Sequence, residues 1–280
     1  MTILVTATSG PFGRLVVQSL LASGVAAADI RAGARTVEKA ADLGVEVVHL
    51  DYSEPASIAA ALVGVESLLL VSGSEVGQRA AQHANVIDAA VAAGVKHLVY
   101  TSAPSAMTSA LVVAPEHKAT EEAIAASGIP STILRNGWYT ENYSSTLAQA
   151  ASGEIVTSTD GGRVSSASRK DYAQAAAVVL STPGHEGAVY ELAGDTAWSF
   201  DEFAAVASDI LGTPVVHRSV SPEEHATTLA GFGLDEGTVG FVVALDGNIR
   251  DGLLGHTPGT LSELIGRPTT PLEQGLREAR

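Results

Sequence analysis

The segment Val5-Thr6-Ala7-Thr8-Ser9-Gly10-Pro11-Phe12-Gly13 is the first place in the chain where residue types and spacing could do chemistry. It joins a short β-branched apolar run, Ile3-Leu4-Val5, to a stretch whose Leu15, Val16, Val17, Leu20 and Leu21 form one helical face ending at Ser23-Gly24. A glycine-rich turn between a strand and a helix presents backbone N–H groups and the positive end of the helix dipole to an anion. Gly10 would let the backbone approach a pyrophosphate, Pro11 suits a first helical turn, and Gly13 would let the helix pack closely on the strand. Ala7 stands where a dinucleotide-binding turn usually has its first glycine. An alanine serves a tight turn there only if its φ stays negative. The segment reads as a dinucleotide site with one departure, against the alternative of a ligand-free structural turn.

The next strand, Ile30-Arg31-Ala32-Gly33-Ala34, ends at Arg35. That is roughly 20 residues beyond the glycines, where such sites read the ribose. An Asp or Glu there binds a 2′-hydroxyl, whereas an arginine can clasp a 2′-phosphate through paired N–H donors. Arg35 favours NADP(H) over NAD(H), the alternative being a solvated surface arginine. Lys39, one helical turn further, and Arg14, just inside the first helix, are additional cations for the same phosphate.

These residues are positioned by alternating strands and helices. Strands are expected at residues 45–50, 67–71, 97–100 and 131–134, with helices at 55–62, 78–93 and 116–127, each helix after the first closed by or followed by a glycine. The rhythm implies an α/β fold, a Rossmann-type doubly wound parallel sheet with right-handed crossovers. In such a sheet the ligand lies beyond the carboxyl ends of the strands. That rule selects the first turn, Arg35, Asp51-Tyr52, the run Ser72, Gly73, Ser74, Glu75 and Val76, Thr101-Ser102, and Asn136 onward. Asp51 and Tyr52 either meet an adenine ring or merely cap the next helix.

After Arg135 the rhythm loosens into a polar and aromatic run, a turn at Asp160-Gly161-Gly162, an Ala-rich helix at 170–180, a strand at 189–192 and, from Trp198, short helices and loops. We read residues 1–135, completed by about 164–195, as an NADP(H)-binding domain. Residues 136–163 and 196–280 read as a smaller lobe that caps it on the substrate side.

Composition narrows the function classes. The formal net charge of −15 disfavours nucleic acid as a partner, since phosphate binding needs a basic face. The absence of cysteine excludes disulfides, thiol catalysis and thiolate metal or cluster ligation. The histidines are scattered without the spacing of a metal site, and no Gly-x-Ser-x-Gly elbow appears. Neither a signal peptide nor a membrane-length apolar stretch is evident, so a cytoplasmic protein free of the membrane is expected. A homo-oligomer is left open.

Longer blocks carry a resemblance. Ser74-Glu75-Val76-Gly77-Gln78-Arg79-Ala80, Arg135-Asn136-Gly137-Trp138-Tyr139, Glu141-Asn142-Tyr143, Gly184-His185-Glu186-Gly187, residues 189–195 and Leu264-Ile265-Gly266-Arg267-Pro268-Thr269-Thr270 resemble the NmrA-like branch of the atypical short-chain dehydrogenases/reductases. Within it they are most similar to the type 2 NAD(P)H:quinone oxidoreductases of bacteria. The resemblance spans nearly the whole chain and implies a Rossmann domain with a C-terminal substrate lobe, NADPH as cofactor and a small-molecule quinone as substrate. It implies cofactor contacts at Ala7 to Phe12, at Arg35, at Ser74 to Val76, and at Asn136, Gly137, Trp138, Tyr139, Thr140 and Glu141 beside the nicotinamide, with Arg169 near a further one. Ala7 is the departure, the family having Gly there.

Typical short-chain dehydrogenases use a Tyr followed four residues later by Lys as acid–base machinery. The corresponding helix here has His117 and Glu121 at those positions. Alcohol oxidation is therefore disfavoured, while an electron-poor quinone mainly needs stacking at the right distance and angle. Asn136 and Tyr139 are candidates to position the substrate and stabilise its developing oxyanion. His117, four residues from Glu121 on one helical face, is either a general acid or half of an ordinary surface His–Glu pair. Trp138 and Tyr139 either wall a flat ring or pack within the lobe. The rival functions are an NmrA-like NADP(H) sensor without turnover and a reductase of another activated carbonyl or double bond.

Overall fold

Runs of apolar residues with no exposed surface dictate the centre of the sheet. In the computed structural model, which describes residues 1–75 and 77–280, β1 (Ile3–Val5) is wholly buried and pairs in parallel with β2 (Ile30–Ala34) on one side and β4 (Ser67–Leu70) on the other. Buried on both faces, such strands read as continuous hydrophobic runs. β3 (Glu46–His49) extends the sheet beyond β2. β5 (His97–Ser102), β6 (Ser131–Asn136) and β9 (Val189–Leu192) extend it beyond β4, giving the order β3-β2-β1-β4-β5-β6-β9.

The helices of this sheet are α1 (Pro11–Ala22), α2 (Pro55–Ala61), α3 (Arg79–Ala93), α4 (Ala114–Ser127) and α6 (Arg169–Ser181), α1 packing on α6 and α2 on α3. Leu4, Leu68, Leu70, Leu98 and Tyr100 lie in one cluster with Ile58, Leu62 and Val86, the alternate residues of each strand facing α2 and α3. The fold class is the one expected.

The chain divides into two units. Unit 1 comprises Met1–Met107, Pro115–Asn136 and Arg169–Glu191; unit 2 comprises Thr108–Ala114, Gly137–Ser168 and Leu192–Arg280. Unit 2 contains α5 (Ser144–Gln149), β7 (Glu154–Thr157), β8 (Arg163–Val164), β10 (Trp198–Ser199), α7 (Phe200–Leu211), β11 (Val216–Ser219), α8 (Pro222–Gly231), α9 (Glu236–Arg250), α10 (Thr260–Ile265) and α11 (Leu272–Glu278). β7 pairs with β11 in parallel and β8 with β10 antiparallel. Its core is aromatic: Tyr143 stands edge-on to Trp198, ring centroids 4.9 Å apart, and Phe200 and Phe203 complete the group.

The expectation of only short helices after Trp198 is corrected here, since α7 has 12 residues and α9 has 15. Both carry start signals. Ser199 and Glu202 make a reciprocal capping box on α7, followed by buried Phe203, Ala204, Ala207 and Ile210 at helical spacing, and Asp235 caps α9. Among the described residues no helix is long and apolar enough to cross a membrane, and no group of three or more acidic or histidine side chains is placed to hold a metal ion.

Candidate cofactor site

The turn after β1 is built from two pinned threonines. Thr6 Oγ1 donates to the Leu69 carbonyl at 2.9 Å and accepts from the Val71 N–H at 3.0 Å, tying the end of β1 to β4. Thr8 gives both its N–H and its hydroxyl to the Gly33 carbonyl of β2, each at 3.0 Å. With its neighbours fixed to opposite strands, Ala7 must make the whole reversal, and it does so at φ +53°. The expectation of a negative φ is therefore overturned: Ala7 adopts the left-handed conformation that glycine takes without a steric penalty.

Ala7's carbonyl then sets the glycines. It accepts the Gly10 N–H at 3.0 Å, and a Cβ built on Gly13 would stand 2.7 Å from the same oxygen and 2.8 Å from the Thr6 carbonyl. Gly13 is therefore obligatory for close approach of α1 to the strand exit. Gly10 is the N-cap of α1 and supplies no capping side chain to the first turn. A left-handed turn, a helix start without a capping side chain and Pro11 as the first helical residue fit an anionic pyrophosphate at this point.

At the carboxyl end of β2, Arg35 keeps 64% of its side-chain surface and its guanidinium meets Glu75 at 2.8 Å. Glu75 also accepts from Gln82 Nε2 at 2.8 Å. These two donors hold the carboxyl below the ordinary range, while the hydrogen bond from Arg35 to Glu75 holds the guanidinium firmly charged. An exposed cation anchored at its base by one carboxylate suits a 2′-phosphate. Arg14 makes contacts of another kind. Arg14 pairs with Asp42 and donates to the Lys39 carbonyl at 2.6 Å, so this arginine staples α1 to the 3₁₀ segment Val37–Leu43. Arg14, a further cation read for that phosphate, has its guanidinium on Asp42.

Asp51 makes a local turn ahead of α2, whose N-cap is Glu54. Asp51 Oδ1 accepts the Ser53 N–H at 2.9 Å and the Asp51 N–H donates to Ser57 Oγ at 3.0 Å, turning the chain into α2. The Tyr52 hydroxyl lies 2.5 Å from Thr6 Oγ1 and donates to the Val71 carbonyl at 2.8 Å, and burial raises its pKa. Tyr52 thus braces the first turn from below.

The loop after β4 is clamped by residues not singled out in the sequence. The Gly73 N–H donates to His83 Nε2 at 3.0 Å, and the other ring nitrogen meets Thr120 Oγ1 at 3.0 Å. This fixes a neutral imidazole protonated at Nδ1, and burial, reinforced by Arg79 and His117, pushes its pKa down to about 3. Arg79 donates to the Gly73 carbonyl at 2.8 Å and pairs with Glu116 at 2.8 Å, and Glu116 accepts the Gly77 N–H at 2.9 Å. The Ser72 N–H donates to Thr101 Oγ1 at 2.8 Å. Arg79 and His83, four residues apart and directly after the loop, were the readable signal. Of this run, Val76 lies outside the described residues.

His117 and Glu121 are not a surface pair. Both are buried, and they have different partners. The Tyr100 hydroxyl meets His117 Nδ1 at 2.8 Å, and burial, with Arg79 nearby, pushes the imidazole down to about 3. A ring neutral at pH 7 holds no imidazolium proton to deliver, which removes the physical basis for a general acid here. Glu121 accepts from Ser102 Oγ at 2.5 Å and from both Nε and Nη2 of Arg135, at 3.0 and 2.7 Å. Arg135 also pairs with Glu191 at 2.9 Å, which takes the Ser105 N–H. The position held by Lys in typical relatives of this fold is here part of an ion network joining β5, α4, β6 and β9.

Unit 1 therefore gathers the first turn, Arg35, Asp51, Tyr52, the loop from Ser72 to Glu75, Ser102 and buried Asn136 at the carboxyl ends of its strands, with Arg169 opening α6. Gly137, Trp138, Tyr139, Thr140 and Glu141 open the second segment of unit 2. There Trp138 packs against the aromatic core, Tyr139 bridges to Ala167, and Thr140 Oγ1 meets Ser166 Oγ at 2.9 Å.

Residues 1–241 match the model of the NmrA-like family. The chain is 45% identical, over 98% of its length and 97% of the relative's, to quinone oxidoreductase 2 of Escherichia coli (strain K12). It superposes with a TM-score of 0.95, 44% identity and 99% coverage of each chain on an NADPH-dependent quinone oxidoreductase from Escherichia coli complexed with NADPH. It superposes with a TM-score of 0.94, 41% identity and full coverage of each chain on the triphenylmethane reductase of Citrobacter sp. complexed with NADP(H). The parallel sheet, the strand-end turn and these matches agree, and the chain belongs to the NmrA-like family.

Proposed function

We propose that this protein is an NADPH-dependent reductase that passes a hydride to a quinone. The observation that carries the reading is Arg35, an exposed cation at the carboxyl end of β2, the strand beside β1 whose exit turn is built on Ala7, in a chain 45% identical to a quinone oxidoreductase. Bound there, NADPH supplies the hydride. The chain's own residues bind and orient it. The backbone from Ala7 to Gly13 and the start of α1 receive the pyrophosphate, and Arg35, with Lys39 at longer range, takes the 2′-phosphate. Asp51 and Tyr52 stand at the adenine side, and Ser72 to Glu75 form the floor between the phosphates and the ring. Asn136 and the run from Gly137 to Glu141 flank the nicotinamide, with Arg169 beside them. Tyr139 and Asn136 orient the acceptor ring. Unit 2 is assigned the acceptor-binding role.

Direct hydride transfer between stacked rings needs no metal or Tyr/Lys acid–base pair, which accords with Glu121 being committed to Arg135. The likeness to a triphenylmethane reductase favours an acceptor range that includes large dyes. Steady-state assays with NADPH against benzoquinones, naphthoquinones and triphenylmethane dyes test the proposal. Turnover of a quinone is expected, and NADPH binding without turnover of any acceptor would instead support an NADP(H) sensor. A cytoplasmic location completes the proposal, to be read by fractionation.

A further inference from the structure

The cation assigned to the 2′-phosphate already has an anion of its own. Arg35 Nη1 donates to Glu75 Oε1 at 2.8 Å, the one hydrogen bond that this guanidinium makes among the described residues, so Nε and Nη2 stay open. Stability gives little reason for the pair. Both side chains are more than a third exposed, and an ion pair so exposed to water adds little to the fold.

The carboxylate is nonetheless held in place. Its other oxygen accepts from Gln82 Nε2 at 2.8 Å, and Gln82 is buried on α3, with Nε2 also 3.3 Å from Ser53 Oγ. Gly73, two residues before Glu75, is fixed by His83 at its N–H and by Arg79 at its carbonyl. A buried amide and a clamped loop therefore bring Glu75 to Arg35, and the donors on both of its oxygens keep it charged. Asp51, the other carboxylate whose charge reaches Arg35, gives Oδ1 to the Ser53 N–H.

An anion held on this cation acts in opposite directions on the two nicotinamide cofactors. A 2′-phosphate carries close to two negative charges at neutral pH, and on Arg35 it would share the guanidinium with a carboxylate that repels it. NADH brings a 2′-hydroxyl and no anion. A ligand that covers an arginine without an anion takes water from a bare cation, a penalty that a neighbouring carboxylate offsets. An ionised carboxylate also has acceptor sites beyond the two that Arg35 and Gln82 use, and a hydroxyl can donate to them.

We propose that Glu75 sets the cofactor preference: its carboxylate is an internal counter-ion on Arg35 that opposes the 2′-phosphate of NADPH and admits NADH. The inference rests on the reading of Arg35 as the 2′-phosphate residue and gives its neighbour on the loop after β4 the opposing effect. The preference for NADPH is thereby held below what an unopposed arginine would give. Glu75 determines specificity and takes no part in hydride transfer.

Calorimetric titration of the full-length protein with NADPH and with NADH reads the preference without turnover. Glu75→Gln keeps an oxygen for Arg35 and removes the charge. It is expected to lower the NADPH Kd about three- to tenfold and to leave NADH binding equal or up to about threefold weaker, so the ratio of NADH Kd to NADPH Kd widens about tenfold. The NADPH Kd of this variant is also expected to rise more steeply with sodium chloride than that of wild type, because the phosphate then meets an uncompensated cation. A ratio at or below the wild-type value in Glu75→Gln overturns the inference and leaves Glu75 only as a residue that orients Arg35. If that variant does not fold, the ratio in Glu75→Ala decides in the same way. Arg35→Gln separates this from the cofactor reading. Unchanged NADPH affinity in Arg35→Gln removes the 2′-phosphate from Arg35, and the role of Glu75 falls with it. Weakened NADPH binding in Arg35→Gln beside an unchanged ratio in Glu75→Gln overturns the role of Glu75 alone.

Discussion

At the scale of single residues, Ala7 and Arg35 make opposite predictions. Ala7 sits at φ +53°, which costs a non-glycine residue about 1–2 kcal/mol, while glycine's extra freedom in the unfolded chain takes back about 0.5–1 kcal/mol. Ala7→Gly is therefore expected to leave stability unchanged or raise it by up to about 1.5 kcal/mol in urea titrations, with NADPH binding equal or tighter. A clear loss of either would mean that the methyl group is itself part of the turn. Arg35→Glu replaces a charge-assisted contact with repulsion toward both Glu75 and a 2′-phosphate. It should raise the NADPH Kd about tenfold or more and leave NADH binding much less affected. Unchanged NADPH affinity by calorimetry would remove Arg35 from the 2′-phosphate. The φ of Ala7 could not be read from its type, because it is set by what pins Thr6 and Thr8 on either side.

At the scale of elements, the docking of α1 on the strand exit depends on one missing methyl group. Gly13→Ala would put Cβ 2.7 Å from a backbone oxygen that cannot swing away. Displacing α1 is expected to cost about 1–3 kcal/mol and to weaken NADPH binding, and unaltered stability and affinity would show that the turn relaxes. The strands and helices of unit 1 were legible because their apolar runs and glycine stops are local features. The loop clamp of Arg79, His83 and Glu116 and the network of Ser102, Glu121, Arg135 and Glu191 were not, since each joins residues remote in sequence that only the sheet order brings together. His117 and Glu121 show the same limit. Their spacing on one helical face is real, yet burial hands each a different partner. In unit 2, α7 announced itself through Ser199 and Glu202.

At the scale of the whole molecule, buried neutral histidines give the fold an acid limit. His83 and His117 titrate at about 3 in the folded protein against an ordinary 6.5, so the unfolded chain binds more protons at acidic pH. Their contribution is fully present above pH 6.5 and is lost as pH falls from 6.5 toward 3, at up to about 1.4 kcal/mol per pH unit for each. Urea midpoints should drop steeply below pH 6.5, and the double variant His83→Gln/His117→Gln should flatten that slope. An equal slope in the variant would assign the acid limit to other groups.

The chain passes between the two units five times, after Met107, Ala114, Asn136, Ser168 and Glu191. During synthesis this has a consequence in time. β1 is the first strand to leave the ribosome yet lies inside the seven-stranded sheet, and the sheet is complete only when β9 has emerged some 190 residues later. At about 5–20 residues per second the nascent sheet waits on the order of 10–40 s for its last strand. No contiguous fragment of the gene encodes either unit alone.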